Sequence, residues 1–235
     1  MCFYRGLTEA RPIKAGESLG RTMRGKREDI STGTRIGIAG GAFDPPHYGH
    51  LVLASIALNS GAIDEVWLVP SGNRPDKVYR VSLEERLELL RLLVESGVPT
   101  DERRVQVSLI EVEEPDIIGT VELFRVLRVR HPGCTFRAII GSDLVKDLPR
   151  WRHAEALRKE VSFVVIPRPQ AGGDNSKVAP KGLEEFQLEW VSSEFSSMVS
   201  SSIVRGVLEE GGSVMGLMPA TLIDFIKRRG LYTGR

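Results

Sequence analysis

Residues 40–50 read Gly40-Gly41-Ala42-Phe43-Asp44-Pro45-Pro46-His47-Tyr48-Gly49-His50, directly after the apolar run Ile36-Gly37-Ile38-Ala39. Paired glycines let backbone N–H groups approach an anion closely, and the start of a helix attracts negative charge. His47 and His50 are spaced so that both rings can face one crevice. Taken alone, His-x-x-His also fits a metal pair or two solvent-exposed histidines. Gly41, Phe43-Asp44-Pro45 and Gly49 around it turn the reading toward phosphate. Asp44-Pro45-Pro46 predicts an extended turn that presents His47. Neither Gly-x-Gly-x-x-Gly nor Gly-x-x-x-x-Gly-Lys-Ser/Thr occurs, so this is neither a dinucleotide redox fingerprint nor the standard triphosphate loop.

Other segments carry matching chemistry. Ser71-Gly72 leads to Lys77, and Gly141-Ser142-Asp143 follows an apolar run. Asp143 has two readings, as the N-cap of a short helix over 144–148 or as an acceptor for ligand hydroxyls. Ser200, Ser201, Ser202 and Arg205 fall at a predicted helix start, where hydroxyls, N–H groups and a guanidinium suit phosphate. Trp151 lies between Arg150 and Arg152-His153, which argues against burial on all sides. Trp67 and Trp190 lie in apolar runs and are expected in the core. No clustered carboxylates suggest a dedicated metal cage, and no serine or cysteine triad is evident.

Those residues need a frame. Strand-like runs at 34–39, 65–70, 105–110, 135–140, 162–167 and, shorter, 186–191 alternate with helical patterns. The helices are predicted over 50–60, 83–95, 120–130, 202–210 and 219–229. Ser82-Leu83-Glu84-Glu85 is a capping box that opens the second pattern, whose Leu83, Leu87, Leu90 and Val94 recur at helical spacing. Residues 168–182 hold Pro, Gly, Asn and Asp without apolar period and read as a surface loop. The alternation predicts a single α/β domain, a doubly wound parallel sheet of five to six strands. Ligands of such sheets gather beyond the strands' carboxyl ends, where 40–50, 71–77 and 141–143 would converge.

The chain has 235 residues, 41% hydrophobic and 27% charged, with formal net charge +1. That balance fits a globular protein and gives no reason to expect nucleic acid as a partner. Cys2 and Cys134 are far apart, which argues against a disulfide scaffold and for a reducing, cytoplasmic setting. No apolar stretch has membrane-spanning length, so no membrane partner is expected. Residues 1–33 are basic and weakly periodic and read as a disordered tail, with residues 34–235 as the domain. A targeting peptide, disfavoured by its acidic residues, and a true start at Met23 are the other readings of that segment.

The string Gly-Gly-x-Phe-Asp-Pro-x-His-x-Gly-His resembles the signature of the adenylyltransferases that make pyridine dinucleotides, in particular the bacterial-type nicotinate mononucleotide adenylyltransferases. Val69-Pro70-Ser71-Gly72 leading to Lys77, Ile140-Gly141-Ser142-Asp143, Leu148-Pro149-Arg150-Trp151, Val165-Ile166-Pro167-Arg168-Pro169, Val199-Ser200-Ser201-Ser202-Ile203-Val204-Arg205 and Arg229-Gly230-Leu231-Tyr232 resemble further family segments in the same order. The resemblance implies a Rossmann-like nucleotidyltransferase fold and a reaction of ATP with a pyridine mononucleotide. It implies that His47, His50, Lys77 and Arg205 act on the phosphates. Gly40, Gly41, Ala42, Phe43, Gly141, Asp143, Ser200, Ser201 and Ser202 would bind ATP, Asp143 through ribose hydroxyls. Trp151 would stack on the pyridine, with Thr120, Arg152 and Arg168 near the mononucleotide. Mg²⁺ would be held mainly by the ATP phosphates.

The sequence departs from the family pattern at Gly119, where tyrosine often stands, and at Asp76, where histidine often stands; Ser202 replaces threonine. Acid or amide mononucleotide, a relative acting on phosphopantetheine or using CTP, and a non-catalytic nucleotide-binding module all remain open at this point. So does the oligomeric state, with a homo-oligomer among the options.

Overall fold

The computed structural model describes residues 33–72, 74, 77–100, 102–168 and 183–234. The expectations for the tail over 1–32, for Asp76 and for most of the 168–182 loop lie outside the described residues.

The sheet forms from β1 (Arg35–Gly41), β2 (Glu65–Pro70), β3 (Val105–Val107), β4 (Thr135–Gly141), β5 (Ser162–Ile166) and β6 (Gln187–Trp190). All pairings are parallel, in the order β3-β2-β1-β4-β5-β6, so the order reverses between β1 and β4. Crossovers are α1 (Tyr48–Asn59), α2 (Leu83–Gly97), α3 (Ile110–Glu113), α4 (Thr120–Arg130) and α5 (Ala154–Glu160), with α6 (Ser201–Glu209) and α7 (Ala220–Arg229) closing the chain. A 3-10 segment, Ser142–Arg150, leaves β4.

Both sheet faces are covered because the strands place apolar side chains on each in turn. Val66 and Leu68 of β2 and Val164 and Ile166 of β5 join Ala54, Ala57, Leu90, Leu93, Leu222 and Ile226 on the α1–α2–α7 face. Trp67 and Val69, Phe163 and Val165 point to the other face, against Val121, Phe124, Leu127, Leu148 and Leu157. This is the doubly wound architecture that the alternation predicts. No described helix is long and apolar enough to cross a membrane.

Several local expectations change. The third strand stops at Val107, and Ile110–Glu113 turns as a helix instead of continuing the strand, burying Ile110 and Glu111. Helix α5 lies where no helical pattern was read; its short Ala-Glu-Ala-Leu-Arg-Lys-Glu run offers one apolar turn, and Leu157 buries completely. Gly141, not Asp143, occupies the cap position of the 3-10 segment. Trp67 is core, but Trp190 is only half-buried, because β6 is an edge strand with alternating exposed positions.

Candidate active site

The turn between β1 and α1 departs from regular backbone at Phe43, whose φ of 49° lies in the left-handed region that side chains disfavour. Its ring is buried and anchors the turn in the core, 4.7 Å from the His50 ring. His47 then occupies the N-cap position of α1 and His50 the third helical position. Their ring centroids are 4.0 Å apart. Gly49 is required for this contact. A Cβ there would lie 2.7 Å from His47 Nδ1 and 2.9 Å from the Val199 carbonyl oxygen.

The His47 backbone N–H donates to His50 Nδ1 at 3.1 Å. His50 Nδ1 also lies 3.2 Å from the His47 carbonyl oxygen, so it meets both a backbone donor and a backbone acceptor, and Nε2 is the ring nitrogen outside this contact. Burial, then His50, then Arg168 drive the His47 ring down to about 2. Burial also drives His50 down to about 4, assisted by Arg168 and opposed by its bond with the His47 backbone. Both imidazoles are neutral at physiological pH, and His47 Nδ1 is buried without a partner among the described residues.

The neighbouring strand ends close around this turn. Ser71 donates its backbone N–H to the Gly41 carbonyl at 2.8 Å and its hydroxyl to the same oxygen at 3.1 Å. Lys77 reaches Ser71 Oγ at 3.2 Å. Across the switch point, Arg168 Nη1 lies 3.4 Å from Asp143 Oδ2, and the Arg168 N–H donates to Ser142 Oγ at 2.9 Å. Asp143 Oδ1 is buried and has no donor among the described residues, which leaves it able to accept a hydrogen bond. A Cβ at Gly141 would sit 2.3 Å from that oxygen.

Helix α6 arrives from the far end of the chain. Ser200 caps it by accepting from the Ile203 N–H, and Ser201 donates to the Pro45 carbonyl at 2.8 Å. Arg205 donates to the Asp44 carbonyl and, at 3.2 Å, to Ser202 Oγ. Within the protein these groups therefore lock α6 onto the histidine turn. The structure thus brings Gly40 to Phe43, His47, His50, Ser200 to Ser202 and Arg205 onto one rim, with Lys77, Gly141, Asp143 and Arg168 at the neighbouring strand ends.

Thr120, Trp151 and Arg152 form a second group at the other end of the 3-10 segment. Trp151 is half-buried, its ring edge-on to Phe163 at 6.3 Å, so one side of the indole packs and the rest is open. Gly119 caps α4, whose first residue is Thr120. A Cβ at Gly119 would lie 2.7 Å from Glu122 Oε2 and 3.4 Å from Arg152 Cδ. Glu122 and Arg152 thus fill the space that a larger residue at 119 would need. Glu122 Oε1 also lies 3.0 Å from His153 Nε2 and 3.9 Å from Arg152 Nε.

Sequence reasoning did not find Arg86 or Tyr79, and it named Tyr232 only as part of a family-like segment, without a partner. Arg86 is fully buried beneath the turn, Tyr79 stacks on it at 3.9 Å, and Tyr232 bonds Asp44. Of the first two, only Arg86 left a signal, a charge on the apolar face marked by Leu83, Leu87 and Leu90.

Known proteins resemble the chain in sequence and fold. Residues 38–207 match the cytidylyltransferase-like family. The chain is 34% identical over 203 residues to a probable nicotinate-nucleotide adenylyltransferase of Geobacillus kaustophilus, covering 86% of this chain and 87% of that protein. It is 34% identical over 200 residues to the corresponding protein of Bacillus cereus strain Q1, covering 84% and 98%. The fold superposes on the nicotinic acid mononucleotide adenylyltransferase of Plasmodium falciparum complexed with NaAD, with a TM-score of 0.71, 25% identity, and coverage of 85% of this chain and 97% of that one.

Proposed function

The chain belongs to the nicotinate and nicotinamide mononucleotide adenylyltransferase family, and we propose that it joins ATP to nicotinate mononucleotide, giving deamido-NAD and pyrophosphate. The observation that carries this reading is the pair of neutral imidazoles, 4.0 Å apart, at the β1–β4 switch and close enough to Arg168 to feel its charge, which in turn pairs with Asp143.

In this reading a 5′-phosphate oxygen of the mononucleotide attacks the α-phosphorus of ATP. The bond from that phosphorus to the bridging oxygen breaks, and pyrophosphate leaves with the electron pair. The protein supplies position and charge stabilisation. The N–H groups of residues 41–43 and His50 Nε2 donate to the triphosphate, Lys77 adds a point charge, and Arg205 holds the rim that carries them. Asp143 Oδ1 accepts from ribose hydroxyls. Trp151 offers its open side to the pyridine. Arg152, beside the start of α4, favours a carboxylate substituent over a carboxamide.

The side chains fit a Mg²⁺ ion carried by the phosphates better than one caged by protein. Among the described residues no three or more His, Cys, Asp or Glu side chains group to hold a metal. Such an ion, when bound, offsets phosphate charge.

The test is pyrophosphate release from ATP with each mononucleotide, with the dinucleotide identified by mass. Faster turnover with the acid supports the reading. Preference for the amide overturns the assignment of product, and ATP binding without turnover of either overturns the assignment of reaction.

A further inference from the structure

Arg86 lies in the first part of α2 and has no exposed surface. One of its nitrogens, Nη1, donates at 2.9 Å to the Ala42 carbonyl and at 2.9 Å to the Ser71 carbonyl. Those carbonyls belong to the ends of the two loops that flank the crevice, after β1 and after β2. The guanidinium stacks on Tyr79, whose hydroxyl donates to the Gly72 carbonyl at 2.9 Å. Among the described residues, Nε and Nη2 have no acceptor and no carboxylate pairs with the guanidinium. Burial weakens the hold on the charge, but Tyr79 and Asp44 lie close enough to oppose that.

A buried cation bonded only to carbonyls has an effect beyond packing. The peptide units 42–43 and 71–72 are trans, since the cis bond of the described residues is Asp44–Pro45. In a trans peptide the C=O and the following N–H point in opposite directions. A cation on the Ala42 and Ser71 carbonyls therefore faces the Phe43 and Gly72 N–H groups away from itself, and it polarises both units so that each N–H donates more strongly. Among the described residues neither N–H has a protein acceptor.

We propose that Arg86 is a positioning residue for phosphate binding, which aims and strengthens the Phe43 and Gly72 N–H donors through their peptide groups without touching the ligand. The proposal rests on the reading of the β1–α1 turn as the triphosphate site.

Calorimetric titration of the full chain with inorganic tripolyphosphate, and separately with nicotinate mononucleotide, tests it on the wild type, R86M and R86K. Melting curves record the fold of each variant. R86M is expected to weaken tripolyphosphate roughly tenfold and to leave the mononucleotide within about twofold, with R86K between the two. Unchanged tripolyphosphate affinity in a folded R86M overturns the proposal. So does an equal loss for both ligands that follows the melting temperature, which marks a merely structural arginine. If R86M does not fold, R86K decides alone, since its ammonium keeps the charge but not the planar guanidinium, stacked on Tyr79, that holds one nitrogen between both carbonyls. A wild type that binds tripolyphosphate but adenylates neither mononucleotide overturns the functional reading while the titration still reads Arg86. A wild type without tripolyphosphate affinity overturns both.

Discussion

The Tyr232 hydroxyl donates to Asp44 Oδ1 at 2.7 Å, a buried bond across 188 positions that ties the end of the chain to the histidine turn. The other oxygen of Asp44 accepts from the Arg80 N–H at 2.6 Å. Burial, with Asp44 beside it, pushes the Tyr232 phenol well above its ordinary range, so it stays a donor at any working pH. Replacing Tyr232 by Phe leaves a buried carboxylate oxygen without its donor and is expected to cost about 1–3 kcal/mol. Urea unfolding checks this, with the midpoint lowered and the slope unchanged.

His50→Ala removes the ring that the proposed mechanism places against the triphosphate. The expected loss is about 10²–10³ in kcat, as for removal of one donor to a developing charge, with a smaller change in ATP affinity. Steady-state kinetics with ATP varied separate the two effects. Loss confined to KM would mark His50 as a ground-state contact only.

Acid should unfold the protein partly through the two histidines. Their folded values lie near 2 and 4, below the unfolded value near 6.5. Between those limits the unfolded chain binds more protons, so stability is full above pH 6.5 and falls as pH drops toward 4. Each ring contributes about 1.4 kcal/mol per pH unit in that window. His50→Gln should flatten the pH dependence of the unfolding midpoint between pH 6.5 and 4, and an unchanged slope would contradict the assignment.

Gly49→Ala places a methyl group against the His47 ring and the Val199 carbonyl. Neither the buried ring nor the backbone can yield cheaply, so a loss of about 1–3 kcal/mol in stability is expected. Activity should fall further than stability alone explains, because the imidazole pair is displaced. Thermal melts and kcat measured on the same samples distinguish the two.

Trp151→Ala removes the open indole edge yet leaves the histidine turn untouched. KM for the mononucleotide is expected to rise roughly tenfold, with KM for ATP unchanged. Steady-state kinetics with each substrate varied in turn check this, and equal effects on both would place Trp151 in the core alone.

Much of this arrangement was legible from local patterns. The apolar runs of β1, β2, β4 and β5 are buried on both faces, and parallel strands of that kind look the same in sequence and in space. The Ser82–Glu85 capping box forms as its residues predict, each side chain meeting the other's backbone donor. The histidine spacing placed both rings on one side of α1 because three positions on a helix are neighbours.

Short elements were not legible in this way. Three residues of β3 carry too little periodicity to mark where the strand ends, and the short helices α3 and α5 owe their form to packing more than to propensity. By itself the sequence determined the layered frame and the glycine–histidine turn, because both rest on patterns a few residues long. Tertiary structure alone decided that Arg86 would lie buried under that turn, that Tyr232 would close on Asp44, and that Arg168 would face Asp143. Each of those contacts joins residues far apart in the chain, and no local spacing records which distant partner a buried charge or hydroxyl will find.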